Sequence, residues 1–382
     1  METILKAGFW FSAALLFHNY LFFGWTIRFL SVFAKPRNFE SGELPSLTII
    51  IAAYNEEQVI GRTLDGILAQ EYPTDRMQVI VGSDVSTDQT NKIVSQYASR
   101  QVRLVAFKER HGKLGILDEL IPTVESDIVV VMDANILLAP GALLKIGEGY
   151  RDPAVGAVCG RQTVELPGKT TQLKEEDRYR AQEVRLKEGL SRLGVVVGAF
   201  GGFYSFRREY FRPIGSKPMV DDVILPLEVL GQHKRVVFQS DAVAYEEIGG
   251  SPAEEFHRRI RMTGYNLNGF GRALRCGANS GLLALYVVFS YKILRWLSPY
   301  LLGLWAVAAV SLFKVGLVYR ISAGLVGIAL ILALTGYVSS LAGKRIPISN
   351  SAYYFVLMNF ALFLGLFRWM FGVKLFWQRA QR

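Results

Sequence analysis

The sequence predicts an α/β domain with a mostly parallel sheet, placed between N- and C-terminal transmembrane helices. Two observations predict the membrane part: 51% of the 382 residues are hydrophobic, with a mean hydropathy of +0.24, and the most apolar stretches are 8–33 and 280–372. A third predicts the α/β domain, because apolar runs alternate with segments of helical spacing between those stretches. We therefore expect an N-terminal transmembrane helix over 1–35, a globular domain over 36–278, and interfacial and transmembrane helices over 279–382.

The N-terminal apolar run extends from Ala7 to Phe33, and His18, Asn19 and Arg28 interrupt it. A run of about 20 or more residues can span the hydrocarbon core of a bilayer, and this one lacks the small-residue cleavage site of a signal peptide. Arg28 and the basic residues that follow it predict that the C-terminal end of the run faces the cytoplasm. We expect the pair His18–Asn19 to face neighbouring helices, with a functional site inside the membrane as the alternative.

The C-terminal part begins with a short apolar stretch, Leu282–Tyr291, and basic and aromatic residues follow it up to Trp296. This pattern predicts a helix that lies in the membrane interface. The loop before the last predicted span and the tail of the chain are both basic, and a single crossing cannot leave both in the cytoplasm. Two alternatives stay open: the last segment is interfacial or re-entrant, or the stretch up to Trp296 takes part in a crossing. The predicted spans are 297–313, 321–341 and 351–371.

The net charge of +10 does not indicate a nucleic-acid-binding protein. Lys and Arg flank the apolar segments, as the positive-inside tendency predicts, and the sequence lacks the mixture of aromatic and basic residues that is typical of a nucleic-acid groove. The two cysteines, Cys159 and Cys276, have no metal-ligand spacing and form no disulfide framework. We therefore expect no nucleic-acid partner and a reducing, cytoplasmic location for the middle domain.

The sequence of the first part of the middle domain predicts two buried strands with a helix between them. Ser46–Ala53 is a continuous, isoleucine-rich run, which is typical of a strand buried on both faces. Residues 54–70 follow with helical spacing, and Met77–Gly82 is a second apolar run. The predicted apolar side of the helix comprises Val59, Ile60, Leu64, Ile67 and Leu68.

Two further strand–helix units are predicted after the second strand. A helix is expected to begin at Thr87–Gln89, with a Ser or Thr N-cap. Val102–Phe107 predicts the third strand, and a third helix is expected to open at His111. Ile128–Met132 predicts a fourth strand, which ends in Asp133.

Polar side chains collect where these strands end. Ligands of a parallel sheet bind beyond the C-terminal ends of its strands, so we expect these side chains to form one site. Each has an ordinary alternative as a turn, cap or strand-end residue, and the segment around Lys113 lacks the pattern of a P-loop. Together they favour a nucleotide site. The residues concerned are Asn55, Glu56, Asp84, Lys113 and Asp133.

A carboxylate pair, Asp221–Asp222, precedes an apolar stretch, and the basic segment 254–262 follows it. A carboxylate near an acceptor can take the proton of the attacking hydroxyl, and we expect Asp222 to be this base. Arg258 and Arg261 of the basic segment would stabilise a diphosphate. The alternatives are helix capping by the carboxylate pair and a basic amphipathic helix at the membrane surface.

A metal ion is the expected cofactor of this chemistry. Asp133 offers the oxygen ligand that Mg²⁺ and Mn²⁺ prefer, and these cations often share such ligands with substrate phosphates. A bound cation would neutralise the charge that grows on a diphosphate leaving group. The sequence therefore predicts Mg²⁺ or Mn²⁺ at the end of the fourth strand.

Five segments follow one another in an order and spacing that match a known pattern: AAYNEE (52–57), SDVSTDQT (83–90), MDAN (132–135), GAFGG with FYSFRRE (198–209), and VDD (220–222). Together they resemble the membrane-bound family 2 glycosyltransferases, the group that contains cellulose, chitin and hyaluronan synthases. The resemblance covers Ser46 to about Phe270 and the flanking membrane segments. It implies a GT-A-like domain that binds a nucleotide sugar.

The resemblance also implies a role for each segment. The first would hold the nucleoside, the second would contact its base through Asp84, and the last would supply Asp222 as the general base. Metal binding falls to Asp133 and Asn135. The acceptor side would comprise Gly201, Gly202, Asp221 and Met262. Nucleotide-sugar binding would fall to Ala53, Tyr54, Glu56, Asp84, Lys113, Asp133, Arg258 and Arg261.

Two positions depart from the family pattern. Asn135 stands where the metal motif usually has a second acid, and an amide offers one neutral oxygen in its place. The segment Arg258–Met262 stands where processive synthases have Gln-x-x-Arg-Trp. Arg261 matches the family's Arg, whereas Met262 replaces the Trp that positions an acceptor sugar. A single transfer fits this segment better than repeated addition.

The reaction implied by the resemblance is an inverting transfer from a nucleotide diphosphate sugar, expected to be a UDP-sugar, to a hydroxyl of a saccharide acceptor in polysaccharide synthesis. It would take place at the cell membrane, in a multi-pass protein with a cytoplasmic catalytic domain. Its partners would be membrane lipids and export or polymer-synthesis proteins. One alternative is a lipid glycosyltransferase with a ceramide- or polyprenol-type acceptor, and another is a non-catalytic scaffold that binds a nucleotide sugar. A transporter is disfavoured, because the membrane segments carry few charges.

Overall fold

The structure is a computed structural model. It describes residues 1–34, 43–164, 173–215, 217–246, 252–344 and 346–372, without the side chains of 164, 173–180 and 252–255. The basic residues within 35–42, Arg345 and the tail from 373, on which the predicted membrane orientation depends, lie outside the described residues. The chain divides into two compact units, one of which contains the sheet and the other most of the apolar helices.

Two helices begin the chain, α1 (Glu2–Phe17) and α2 (Phe23–Val32), and a π-helical turn at His18–Phe22 joins them. The sheet unit then alternates strands and helices. Its strands are β1 (Leu47–Ala53), β2 (Met77–Ser83), β3 (Val102–Ala106), β4 (Ile128–Asp133), β5 (Ile136–Leu138), β6 (Val155–Val164), β7 (Phe203–Arg207) and β8 (Arg235–Glu246). The helices among them are α3 (Ile60–Leu68), α4 (Thr90–Ser95), α5 (Gly112–Leu120), α6 (Ala142–Gly149), α7 (Leu173–Leu193) and α8 (Asp221–Leu230).

The eight strands form one sheet in the order β3-β2-β1-β4-β7-β6-β8-β5. The first four are parallel, and β7 pairs antiparallel with β4. Ala53 is in register with Ser83 of β2, and Ala52 is in register with Asp133 of β4. The C-terminal ends of three strands therefore lie side by side at one edge, and the predicted α/β domain with a mostly parallel sheet is confirmed.

The core of the sheet unit explains why β1 is so apolar. Ile49, Ile50 and Ile51 are all fully buried although they alternate between the two faces of the sheet. On one face, Ile49 and Ile51 lie in the same core as Ile60 and Leu64 of α3. Burial of each such side chain contributes about 1.5–3 kcal/mol, which fixes the strand ends where the polar residues lie.

Two predicted helices begin later than the sequence suggested. The helix expected over 54–70 begins at Ile60, because Asn55 adopts a left-handed conformation with φ of 55° and the residues after it form a turn. The helix expected at Thr87–Gln89 begins at Thr90, and in the turn before it the Asp88 carboxylate accepts the Thr90 N–H at 3.0 Å.

The C-terminal helices are α9 (Pro252–Asn268), α10 (Phe270–Ser280), α11 (Leu282–Val287), α12 (Leu294–Ser311), α13 (Leu317–Leu341) and α14 (Pro347–Met370). A π-helical turn, Val288–Ile293, joins α11 to α12, so that Leu282–Ser311 is one helical segment of 30 residues. The predicted interfacial helix and the first predicted span are thus continuous. Among the described residues, this segment, α13 and α14 are long and apolar enough to cross a membrane. A crossing by α1 and α2 stays a prediction.

Candidate active site

The loops that follow β1 and β2 are bound to each other. The backbone N–H groups of Asn55 and Glu56 donate to Ser86 Oγ at 3.1 Å and to Thr90 Oγ1 at 2.8 Å. In return, Asn55 Oδ1 accepts the N–H of Thr87 at 2.8 Å. These bonds fix the backbone beside Ala53 and Tyr54 at the strand edge.

Asp84 directly follows β2 and is almost completely buried, with 2% of its surface exposed. Its Oδ1 accepts the His111 N–H at 2.7 Å, and its Oδ2 accepts the Gly112 N–H at 3.1 Å. Arg110 Nε lies 3.1 Å from the same Oδ2 atom. The carboxylate therefore anchors the N-terminus of α5, where a negative charge is favourable.

Arg110 also stacks on an aromatic ring. Its guanidinium carbon lies 3.5 Å from the centroid of the Tyr54 ring. A planar surface next to a carboxylate with fixed hydrogen bonds suits a heteroaromatic base, which needs both stacking and directional partners. Arg110 was not among the predicted site residues, although its position directly before His111, in a loop that follows a strand, indicates a site residue.

Lys113 lies between two carboxylates. Its Nζ is 2.6 Å from Asp133 Oδ1 and 2.8 Å from Asp221 Oδ2. Burial alone would lower the pKa of Lys113, but the charges of the two carboxylates outweigh it and raise the pKa. The Lys113 ammonium thus joins Asp133, at the end of β4, to Asp221, at the start of α8, which lies 88 positions later in the sequence.

Asp221 has a second donor on the same oxygen. The hydroxyl of Tyr204, a fully buried residue of β7, donates to Asp221 Oδ2 at 2.8 Å. Burial, reinforced by the charge of Asp221, raises the pKa of Tyr204, so the hydroxyl stays a donor. Tyr204 was not predicted as a site residue, because the residues around it in the sequence do not indicate that it contacts Asp221.

Asp222 faces a different group. Its Oδ2 accepts the Gly201 N–H at 2.9 Å, and its backbone carbonyl accepts the Ala199 N–H at 2.8 Å. The two neighbouring carboxylates of α8 are therefore held apart: Asp221 contacts Lys113, and Asp222 contacts the glycine-rich segment 198–202, here called the glycine loop.

The glycine loop needs glycine at two positions. Gly201 has a φ of +81°, in the left-handed region that glycine favours. A Cβ atom on Gly202 would lie 2.3 Å from Asp133 Cγ, whereas the actual Gly202 carbonyl accepts the Asp133 N–H at 3.0 Å. This close approach brings the predicted acceptor side against the end of β4.

Two buried side chains support the glycine loop and were missed in the sequence. Gln162 Oε1 accepts the Gly202 N–H at 2.9 Å. Lys187 of α7 is 1% exposed, donates to the Gly198 carbonyl at 2.6 Å and lies 4.3 Å from the centroid of the Phe200 ring. A buried ammonium that donates to a carbonyl is a strong constraint on that carbonyl.

The residues just before α8 are held from two sides. Asp118 of α5 accepts the Ile214 N–H at 2.9 Å, and Arg272 of α10 donates to the Ile214 carbonyl at 3.0 Å. Arg272 Nε also pairs with Glu228 of α8. These contacts fix the position of the segment that leads to Asp221–Asp222. They were not predicted from the sequence.

Most of the predicted site residues lie at the strand edge of the sheet unit. Direct contacts join Lys113 with Asp133 and Asp221, Gly201 with Asp222, and Gly202 with Asp133. The predicted residues of this edge are Ala53, Tyr54, Glu56, Asp84, Lys113, Asp133, Asn135, Gly201, Gly202, Asp221 and Asp222.

The remaining predicted residues lie on α9, in the unit of apolar helices. Arg258 is exposed, whereas Arg261 and Met262 are half-buried. Burial lowers the pKa of Arg261, with a smaller contribution of the same sign from Arg258.

The described residues contain no group of three or more His, Cys, Asp or Glu side chains placed to hold a metal ion. The nearest arrangement is the pair Asp133 and Asp221, which already shares one cation, the Lys113 ammonium. Asn135 follows Asp133 by two residues and is half-buried. The oxygen atoms that the structure brings to one cation are thus those of the two carboxylates.

Comparison with known proteins relates this chain to sugar-transferring enzymes. A family model described as "Glycosyltransferase like family 2" matches residues 45–264. The chain is 32% identical over 204 residues to a beta-monoglucosyldiacylglycerol synthase of Nostoc sp., covering 51% of this chain and 44% of that protein. It is 24% identical over 240 residues to a poly-beta-1,6-N-acetyl-D-glucosamine synthase of Staphylococcus aureus, covering 60% and 57%. The chain thus spans about half the length of these curated relatives.

Among solved structures, the mannosyltransferase PcManGT from Pyrobaculum calidifontis, in complex with GDP-Man and Mn²⁺, is similar to this chain with a TM-score of 0.75. The similarity covers 98% of this chain and 99% of that one, at 23% sequence identity. At this identity, the comparison establishes a shared fold.

Proposed function

Because this chain belongs to the glycosyltransferase-like family 2, we propose that it transfers a sugar from a nucleotide diphosphate sugar to an acceptor hydroxyl, with Asp222 as the general base. Membership of this family makes the chain a glycosyltransferase, which disfavours the non-catalytic scaffold. The observation that carries the proposal is the convergence of Asp133, Lys113 and the Asp221–Asp222 pair on one strand edge.

The nucleoside half of the donor would bind beside β1 and β2. Tyr54 and Arg110 supply a stacking surface, and the fixed Asp84 carboxylate lies next to it. Ala53 and Glu56 line the same edge. Lys113 directly follows Gly112, whose N–H donates to Asp84, and we propose that its ammonium would bind the diphosphate. We propose a UDP-sugar as the donor.

Asp222, rather than Asp221, is proposed as the base because the two carboxylates have different partners. Asp221 is engaged by the Lys113 ammonium and the Tyr204 hydroxyl, and we assign it to cation binding rather than to proton transfer. Asp222 lies against the glycine loop, where Gly201 and Gly202 would face the acceptor. It would take the hydroxyl proton while the acceptor oxygen bonds to the anomeric carbon, and the sugar–phosphate bond would break with its electron pair leaving on the diphosphate.

The donor set fits a hard divalent cation. Two carboxylate oxygens already converge on one positive charge, and Mg²⁺ or Mn²⁺ prefers such oxygen ligands. Asp133 and Asp221 would hold the ion, with Asn135 as a neutral donor. When bound, such a cation supplies charge neutralisation for the diphosphate.

The roles of Arg258, Arg261 and Met262 are proposed from the family resemblance alone. The two arginines would bind phosphate oxygens, and Met262 would belong to the acceptor side. A methionine cannot give a sugar ring the flat stacking surface of a tryptophan, which supports a single transfer.

The acceptor is proposed to be a hydroxyl held at the membrane, on either a saccharide or a lipid. The relative with 32% identity is named for glucosyldiacylglycerol synthesis, which supports a lipid, whereas the S. aureus relative is named for a polysaccharide. The three long apolar helices support a membrane location. We propose that the sheet unit faces the cytoplasm, where nucleotide sugars are available.

Membranes that contain the full chain would be incubated with radiolabelled UDP-glucose, UDP-N-acetylglucosamine or GDP-mannose, with Mg²⁺ or Mn²⁺, and then extracted with chloroform. Label in the organic phase would support a lipid acceptor, and label in large water-soluble material would support a saccharide chain. Asp222→Asn should lower the rate of formation of either product about a hundredfold or more, whereas Asp241→Asn, which changes an exposed aspartate of β8, should not. Equal label with the wild-type and Asp222→Asn chains would remove Asp222 from the mechanism.

A further inference from the structure

We propose that Lys113 is the resident cation of the Asp133–Asp221 pair and competes with a divalent metal for it until a nucleotide diphosphate draws the ammonium away. This inference rests on the proposed function, because it assumes a diphosphate donor at this edge. It goes further by predicting that the empty enzyme excludes the metal.

The competition follows from the contacts of Lys113. Its ammonium lies 2.6 Å from Asp133 and 2.8 Å from Asp221, which is where a shared cation would take its two carboxylate ligands. A second cation in the same place would face the charge of the first at close range, where like charges repel each other. The ammonium therefore has to leave before a metal can use both carboxylates.

The two carboxylates are held independently of the lysine. Asp221 also accepts the hydroxyl of the buried Tyr204, and the Asp133 side chain lies against Gly202, where a Cβ atom would be only 2.3 Å from its Cγ. When the ammonium leaves, the carboxylates stay close to each other. A pair of anions left without a counter-charge is unfavourable, so a cation has to replace the lysine.

The backbone of Lys113 is fixed next to the place where a nucleotide would bind. Asp84 holds the N–H groups of His111 and Gly112 at the start of α5, and Asp118 ties the same helix to Ile214. Only the flexible four-carbon stem of Lys113 has to move. It can exchange the carboxylates for phosphate oxygens without a change in the fold.

This arrangement couples the two ligands. A diphosphate gives the ammonium another anionic partner and frees the carboxylates, so nucleotide and metal should each strengthen the binding of the other. In the empty enzyme the same lysine keeps the acidic edge neutralised, which protects it from binding metals without a substrate.

The test measures Mn²⁺ binding to the purified full chain in detergent, with the metal alone and no nucleotide, by electron paramagnetic resonance of free Mn²⁺. We expect Lys113→Met to bind Mn²⁺ at least tenfold more tightly than the wild type. Lys145→Met serves as the matched control, because Lys145 pairs with Glu148 on α6 and its loss gives the same change in net charge. Addition of UDP should strengthen Mn²⁺ binding more in the wild type than in Lys113→Met.

Equal Mn²⁺ affinity of the wild type and Lys113→Met without nucleotide would overturn the proposal, as would weaker binding by the variant. Lys113→Gln, which keeps a polar side chain of similar length, gives the same comparison if the methionine variant does not fold. The result is separate from the proposed function: a chain that transfers no sugar can still show the competition, and an active enzyme can lack it.

Discussion

Tyr204 and Asp221 are joined by a hydrogen bond of 2.8 Å between a buried hydroxyl and a carboxylate that also contacts Lys113. The bond links the interior of the sheet, through β7, to the first turn of α8. It holds Asp221 toward the lysine, while Asp222, the next residue, contacts the glycine loop on the other side.

Tyr204→Phe should lower turnover about tenfold with little change in donor affinity. The substitution keeps the ring and removes the hydroxyl, and loss of a hydrogen bond to a charged group costs about 1.5–3 kcal/mol. Part of this cost should affect the position of Asp221, and turnover falls for that reason. The measurement is steady-state transfer from the radiolabelled nucleotide sugar.

Tyr150→Phe is the matched control for Tyr204→Phe. Tyr150 is also buried, and its hydroxyl is hydrogen-bonded to Ser205 Oγ of β7 at 2.8 Å, so the substitution removes a neutral bond to the same strand. If both variants lose the same fraction of turnover, Tyr204 acts through general stability and not through Asp221.

Asp222→Asn should leave nucleotide binding nearly intact and lower turnover about a hundredfold or more, because an amide cannot accept the hydroxyl proton. Titration calorimetry with UDP checks the first part, and single-turnover transfer checks the second. Asp221→Asn should not separate UDP binding from turnover in this way, since it removes one of the two charges that hold Lys113. A large loss of UDP affinity in Asp222→Asn would assign that residue to binding.

Much of the strand edge could be predicted because it depends on local sequence. β1, β2 and β4 are continuous apolar runs, and parallel strands bring the polar residues that follow them to one edge. Asp84, Lys113 and Asp133 were found in this way. The helix starts were less predictable, because Asn55 and Asp88 also form hydrogen bonds across the two loops, with Thr87 and Glu57.

The other side of the site depends on pairings between distant parts of the chain. β7 lies antiparallel beside β4, with Met132 opposite Phe203, and this pairing places Gly202 against Asp133. No periodicity in either segment indicates such a neighbour. For the same reason Tyr204 and Arg272 were not predicted as site residues. Each acts through a contact with a distant residue, Asp221 or Glu228, which the local sequence does not indicate.

Arg272→Met should destabilise the sheet unit by about 1–3 kcal/mol, because it leaves Glu228 and backbone carbonyls without their charged donor. Turnover should fall as well. Ile214, which precedes Asp221, loses its hydrogen bond from Arg272 and keeps the one to Asp118. Thermal unfolding in detergent and transfer assays measure the two effects. Arg275→Met, on the exposed side of the same helix, is the control and should change neither.

Cys276 should react slowly with iodoacetamide in the folded protein. Burial, helped by the nearby Glu228 carboxylate, raises the pKa of Cys276 from its ordinary value of 9.0 to about 12. The folded state therefore favours the neutral thiol. The stability that depends on it is fully present below pH 9 and is lost as the pH rises toward 12, because the unfolded chain ionises first.

Mass spectrometry after alkylation at pH 8.5 measures the reactivity of Cys276 in a Cys159→Ser background, so that one thiol remains. We expect at least a hundredfold slower labelling of the folded chain than of the chain in denaturant, because the thiolate is the reactive form. Labelling of the folded wild-type thiol at the rate of the denatured chain would show that this end of α10 opens to solvent and does not hold Glu228 in place.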